Sequence, residues 1–412
     1  MKHLKLLFFT AFCLLNACAE DGYRPNFGYA EVSSNYSSDI DGYGGDTYGD
    51  FVENPFVETS LETTSTFSID ADGGSYANVR RFIEQDKRLP AAGAVRTEEM
   101  INYFNLDYPF SETNGPISLN GEVSSCPWSN GHKLVRIGIK GKELAVLPAS
   151  NFVFLIDVSG SMRSKDKLSL LKAGILRFVD QMSEEDYLSI VTYAGRSGVH
   201  LASTPGRDKD RIRAAVNDLH AGGGTNGGAG IRLAYEQAAA NFIEGGNNRI
   251  ILGSDGDFNV GVSDFKQLVE LIERNRETGI FLSVLGLGRG NYRENLMEQL
   301  ANKGNGTYEY LDQAAELERV FIQGASKFYT VAQDVKIQVK FNDRLVKAYR
   351  LLGYENRVLS NEDFTDDDKD AGEIGAGQNI TALYEVIPVE GAIPRGVPCF
   401  TIDFRYKLPA TN

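Results

Sequence analysis

The sequence predicts an α/β protein: a doubly wound, mainly parallel sheet with β-rich segments on either side of it. Three observations predict this. From Asn151 onward, short apolar runs alternate with amphipathic stretches, the pattern of a parallel sheet covered by helices on both faces. On both flanks, apolar and polar residues alternate with the period of half-buried strands. The chain has 412 residues, 42% hydrophobic and 24% charged, which is ordinary for globular proteins and enough for roughly two to three domains.

In chain order, Lys2 and Lys5 precede the apolar run Leu6 to Leu15. That run is too short to span a bilayer, and residues 1–17 read as a signal peptide. Leu15-Asn-Ala-Cys18 resembles a bacterial lipobox. The resemblance implies that Cys18 is the acylated first residue of the mature chain, with Ala19 directing it to the outer membrane. An ordinary signal peptide with a chance cysteine is the alternative. No other segment approaches the ~18 apolar residues of a membrane span.

Residues 18–57, rich in Gly, Tyr, Ser and Asp, read as a flexible tether. Residues 58–148 form a mixed α+β region. "TTSTFSID" and "LVRIGIKG" read as strands, and "SYANVRRFIEQ" and "AVRTEEMINYF" as short helices. The second helix has Val95, Met100, Ile101 and Phe104 on one side.

The doubly wound domain spans residues 149–328. "FVFLI" is followed by "KLSLLKAGILRFVDQM", whose Leu168, Leu171, Ile175, Phe178, Val179 and Met182 recur at helical spacing. The strands "YLSIVTYA", "RIILGS", "IFLSVLGLG" and "TYEYL" then alternate with further helices, ending in "AAELERVFIQGASKF".

Residues 329–412 return to β patterning in "DVKIQVKFN", "RLVKAYRLLGYE", "ITALYEVIP" and "CFTIDFRYKL". The two β-rich flanks can form one platform with the central domain inserted. The acidic "NEDFTDDDKDAGE" has Ala371 and Gly377 where a calcium loop needs Gly and Glu, so it reads as a solvated hairpin loop. The chain stops directly after a strand, which fits a sequence cut short at its C-terminus.

The net charge of −14 disfavours a nucleic-acid groove, which needs clustered Lys and Arg. It equally disfavours adsorption to anionic lipid, leaving the lipid anchor as the contact with membrane. With Cys13 in the signal and Cys18 lipidated, Cys126 and Cys399 remain. They are either a disulfide pair in an oxidising envelope or two separate buried thiols.

The chemistry concentrates at "FVFLIDVSGSM". Asp157, Ser159 and Ser161 directly follow an apolar strand, where open α/β sheets bind ligands. "HAGGGTNGG" presents Thr225 before a helix, and "RIILGSDGD" presents Asp255 after another strand. Two carboxylates and three hydroxyls form a hard-donor set suited to Mg²⁺ or Mn²⁺ and poor for Zn²⁺ or Cu²⁺. Such a set leaves a coordination position for an outside carboxylate. For any one of these loops, capping and turn roles explain the same residues; three loops converging on one sheet edge favour a metal.

Asp157-x-Ser159-x-Ser161, Thr225 in Gly-Gly-Thr-Asn and Asp255 in Ser-Asp-Gly resemble the metal-ion-dependent adhesion site of von Willebrand factor type A domains. The resemblance implies that Ser159, Ser161 and Thr225 coordinate through hydroxyls, and Asp157 and Asp255 directly or through water. Ser254 stands where many members carry Thr. "TFSIDADGGSYANVRRFI" and "GYENR…DAGEIGAGQNITALYEVIP" resemble the flanks of bacterial envelope lipoproteins built around such a domain.

Enzyme motifs fare worse. No Gly-x-Ser-x-Gly elbow or Walker A stretch occurs. Gly222 to Gly227 matches a dinucleotide fingerprint literally but follows a helix. His132, His200 and His220 sit apart in polar surroundings, as surface residues do. The expectation is a non-enzymatic envelope lipoprotein that holds an acidic side chain of a protein partner through the cation. The alternatives are an assembly lipoprotein whose metal stabilises the fold, and a metal-dependent hydrolase lacking an evident base.

Overall fold

A computed structural model describes residues 7–9, 45–49, 52–70, 72–111, 115–224, 227–256, 262–290, 292–390 and 397–409. Cys18 lies outside them. The chain begins with β1 (Leu7–Phe9), β2 (Val57–Glu58), β3 (Thr64–Ser68), α1 (Gly74–Glu84), α2 (Thr97–Asn102), β4 (Ile117–Ser125) and β5 (Lys133–Gly141). The central strands are β6 (Ser150–Asp157), β7 (Tyr187–Tyr193), β8 (Ser197–Pro205), β9 (Asn247–Ser254), β10 (Ile280–Leu287) and β11 (Tyr308–Leu311). Among them lie α3 (Leu168–Gln181), α4 (Lys209–Asn217), α5 (Gly227–Ala240), α6 (Val262–Glu277), α7 (Glu294–Lys303) and α8 (Ala314–Glu318). The chain then forms β12 (Thr330–Phe341), β13 (Val346–Leu352), β14 (Val358–Leu359), β15 (Gly372–Gly375), β16 (Asn379–Pro388) and β17 (Phe400–Lys407).

The central sheet has the order β11-β10-β9-β6-β7-β8. Its strands are parallel except β8, which pairs antiparallel with β7. The alternation of β6 explains the double cover. Phe152, Phe154 and Ile156 join the apolar cluster of Leu171, Ile175 and Phe178 from α3, whereas Val153 and Leu155 face Ile231 and Ala234 of α5. Edge strand β8 was not anticipated. It is mostly half-exposed, so its apolar signal is weak.

Two further sheets draw strands from both ends of the chain. One has the order β1-β17-β12-β3-β14, with β15 also on β12; the other has the order β2-β13-β16-β5-β4. Phe67 of β3 registers with Ile337 of β12, and Ile137 of β5 with Ala382 of β16. Aromatic side chains join the sheets: Phe341 stacks on Tyr349 with ring centroids 4.2 Å apart, and Phe67 meets Tyr384 edge-on. The central unit enters and leaves this platform at neighbouring points, where the Ser150 hydroxyl donates to the Tyr329 hydroxyl at 3.1 Å.

Three details depart from expectation. The buried side of α2 is polar: Glu98, Glu99 and Asn102 point inward while Phe104 is half exposed. The cause is hydrogen bonding. Glu99 accepts the Ser75 N–H at 2.7 Å, Glu98 the Tyr354 N–H at 2.9 Å, and Asn102 the Thr381 N–H at 2.7 Å. From the residue before α2, Arg96 reaches Glu294 and Glu298 of α7, bolting the platform to the central unit.

The segment read as a flexible tether is fastened at its far end. Asp46 is buried; one oxygen accepts the N–H groups of Gly290 and Tyr292 at 2.7 and 3.0 Å, and the other meets Arg81 at 3.0 Å. Asn54 donates to the carbonyls of Leu351 and Gly353, and Val57–Glu58 pair with β13. The acidic loop is likewise no free hairpin, because Asp370 pairs with Arg276 of α6 at 2.6 Å and Asp367 with Arg405 at 2.8 Å. Cys126 is a buried free thiol, so the bridge considered between it and Cys399 is not formed. Among the described residues no helix is long and apolar enough to cross a membrane.

Candidate metal centre

The site lies where β6 and β9, neighbours in the sheet, end side by side. This is the switch point of the doubly wound sheet, where the connections leave in opposite directions and open a crevice. Asp157 is the last residue of β6 and is fully buried. Its Oδ1 accepts the Ser159 N–H at 2.8 Å, curling the chain into a turn, and its Oδ2 accepts the Ser254 hydroxyl at 3.2 Å. That turn brings Ser159 Oγ and Ser161 Oγ to 2.9 Å of each other. Ser159 is buried while Ser161 is exposed, so the hydroxyl pair faces outward.

The Gly-rich loop after α4 is stitched to this turn. Gly222 N–H donates to the Val158 carbonyl at 2.7 Å, and Gly160 N–H donates to the Gly223 carbonyl at 3.1 Å. Gly223 holds a φ of +90°, a conformation costly for any residue with a Cβ. Thr225 itself lies outside the described residues. The loop is described to Gly224 and resumes at Gly227, the first residue of α5.

Asp255 follows β9 and is buried; its Oδ2 accepts Lys167 Nζ at 2.9 Å. Burial pushes the Asp157 carboxyl above its usual range, and the nearby Asp255 charge adds to the rise, against the lowering bonds from Ser159. Tyr193, wholly buried at the end of β7, is held neutral by burial and by the Asp157 charge. The structure thus gathers Asp157, Ser159 and Ser161 in one turn and links it to the Asp255 loop through Ser254.

The donors fit a hard cation. Two buried carboxylates carry more negative charge than one lysine offsets, and a close pair of hydroxyls offers oxygens at the rim. No group of three or more His, Cys, Asp or Glu is placed to hold a metal among the described residues, so hydroxyl oxygens have to supply part of any shell. The histidines are engaged elsewhere: His132 with Glu385, His200 with the Ala215 carbonyl and His220 with the Asp218 carbonyl. Sequence reasoning missed Lys167, because a lysine between Asp166 and Leu168 carries no local sign of a partner almost ninety positions away.

Residues 152–257 match the family model described as von Willebrand factor type A domain. The chain carries a von Willebrand factor type A domain. Residues 43–136 match a model described as von Willebrand factor, and residues 326–407 one described as the C-terminal part of the uncharacterised protein YfbK. The chain is 44% identical over 349 residues to the uncharacterised protein YfbK of Escherichia coli (strain K12), an alignment covering 82% of this chain and 60% of that protein. It is 30% identical over 200 residues to human inter-alpha-trypsin inhibitor heavy chain H3, covering 45% of this chain and 22% of that one. Among solved structures, a von Willebrand factor type A protein from Catenulispora acidiphila aligns with a TM-score of 0.46 and 16% identity, covering 73% of this chain and 74% of that one.

Proposed function

We propose that this chain is a cell-envelope lipoprotein, anchored through Cys18, whose type A domain binds a protein partner through a divalent cation. Mg²⁺ or Mn²⁺ would be held by Asp157, Ser159, Ser161, Thr225 and Asp255, and an acidic side chain of the partner would complete the shell. The cation supplies positive charge at the rim of the crevice; the residues supply its seat and its orientation. The observation that carries this reading is the outward-facing pair of hydroxyls, 2.9 Å apart, beside the buried Asp157 and next to the strand end that carries Asp255.

A binding role fits better than a purely structural one. Ser161 is exposed beside the buried Ser159 and Asp157, so a cation seated there would face outward, toward a partner. A binding role also fits better than catalysis, since His132, His200 and His220 are committed to other partners.

The test is a Mn²⁺ titration followed by electron paramagnetic resonance, on the wild type and on Asp157→Ala. Binding by the wild type and its loss in the variant are expected. No binding by either, or equal binding by both, defeats the reading. Capture from envelope extract with Mg²⁺ and again with EDTA then asks whether a partner depends on the ion. A partner held equally well in EDTA removes the adhesion role.

A further inference from the structure

Lys167 has an unusual position for a lysine. Its Nζ donates to Asp255 Oδ2 at 2.9 Å, and its side chain is only 11% exposed. The stem reaches that point over Gly288. A Cβ built on Gly288 would lie 2.1 Å from Lys167 Cε, 2.7 Å from Cγ and 2.8 Å from Cδ, so no larger residue leaves the path open. Gly288 has a φ of +71°, and its carbonyl accepts the Tyr310 hydroxyl, which fixes the wall of the slot. At its other end Lys167 caps α3, its carbonyl accepting the Leu171 N–H at 2.9 Å. The backbone on both sides of the side chain is therefore held, and the ammonium is delivered to one of the carboxylates assigned to the metal.

We propose that Lys167 is a built-in counter-cation of the metal centre, which competes with the divalent ion for Asp255 and so sets the affinity of the site. This rests on the metal reading above and deepens it. Two positive centres cannot share one buried carboxylate without strong repulsion, because charges close together in a poorly solvated pocket interact far more strongly than in water. When the ion enters, the lysine yields Asp255 or the ion binds against its charge. Either way, part of the binding free energy is lost to the charge of the lysine. The pair is also shielded from solvent, so dissolved salt weakens the competition little. A site with such a device fills only at a higher divalent-ion concentration than the same site without the lysine.

The experiment is the same Mn²⁺ titration on the full chain, with Lys167→Met, Lys167→Gln and Gly288→Ala beside the wild type, and circular dichroism to confirm folding. Removing the charge is expected to tighten Mn²⁺ binding about tenfold or more. One close charge contact at an effective dielectric of ~20 corresponds to roughly a thousandfold, and a lysine that swings aside relieves part of it. Gly288→Ala keeps the charge but blocks its path, and is expected to tighten binding in the same direction by less. If it does not fold, the two Lys167 variants decide. Affinities within twofold of wild type overturn the proposal. Weaker binding also overturns it, and would make the lysine a positioning group that holds Asp255 ready for the ion. If neither wild type nor Lys167→Met takes up Mn²⁺, the metal reading itself falls, and this inference with it.

Discussion

Replacing Arg96 by methionine removes a guanidinium that holds three buried carboxylates at once. It meets Glu294 at 3.1 Å, Glu298 at 2.5 Å and Glu99 at 3.4 Å, and these side chains are 1%, 6% and 0% exposed. Burial already pushes Glu294 from 4.5 up to about 7 against the pull of Arg96, and Glu99 moves up for the same reason. Without the guanidinium these acids are either charged and unpaired or forced to bind protons. Breaking a buried ion pair from one side costs about 3–5 kcal/mol.

The sign with pH follows. An acid whose folded-state pKa lies above its unfolded value makes the folded state bind more protons, so stability falls as pH rises between the two values. Arg96→Met lifts the folded values further. The penalty is therefore greatest near pH 8 and shrinks towards pH 5, where the buried folded-state acid is protonated with or without the guanidinium. Urea unfolding of both proteins at pH 8 and pH 5 measures this. A loss under about 1 kcal/mol at pH 8, the level of an exposed pair, would refute the reasoning. So would a loss that does not shrink on acidification.

Three further outcomes are expected. Glu98, pushed from 4.5 to about 7 by burial, withdraws stability as pH rises through 7. Glu98→Gln should therefore raise the pH 8 melting temperature while leaving pH 4.5 little changed, and a lower melting temperature at pH 8 would contradict this. Phe178 packs edge-on against Phe152, Phe154, Phe321 and Phe328; Phe178→Ala should cost about 3–5 kcal/mol in chemical denaturation. Asp46→Ala strips Arg81 of one carboxylate and frees two backbone N–H groups. It should cost about 2–3 kcal/mol and speed chymotryptic cleavage at Tyr48, whereas an unchanged digestion rate would argue that Asp46 does not fasten the segment.

Much of the central unit was legible because its information is local. The run from Phe152 to Asp157 and the helical spacing of Leu171, Ile175 and Phe178 each specify an element without reference to distant residues. Asp157, Ser159 and Ser161 were legible for the same reason, being one turn at a strand end. What escaped depends on partners far along the chain. The polar face of α2 contradicts its apolar periodicity because Glu98 answers Tyr354 and Asn102 answers Thr381. Asp46 sits in a low-complexity stretch, and the N–H groups of Gly290 and Tyr292 together with Arg81 give it a fixed place. Lys167 reads as a solvated charge until Gly288 and Asp255 surround it. β8 failed differently: an edge strand buries too little to leave a clear pattern.

The meeting of Ser150 with Tyr329 has a consequence for how the chain is built. β3 and β5 leave the ribosome before β12 and β16, their partners, exist, and the whole central unit is synthesised in between. Long-range pairings of this kind are slow to close, because the intervening chain must first surrender its freedom. The central sheet needs only its own strands and can form first. Once it has formed, its two ends stand together, and the early strands find the late ones across a short gap. The type A domain is thereby placed to act as a clasp during assembly, and a lesion in its core is expected to slow closure of the platform even where no platform residue is touched.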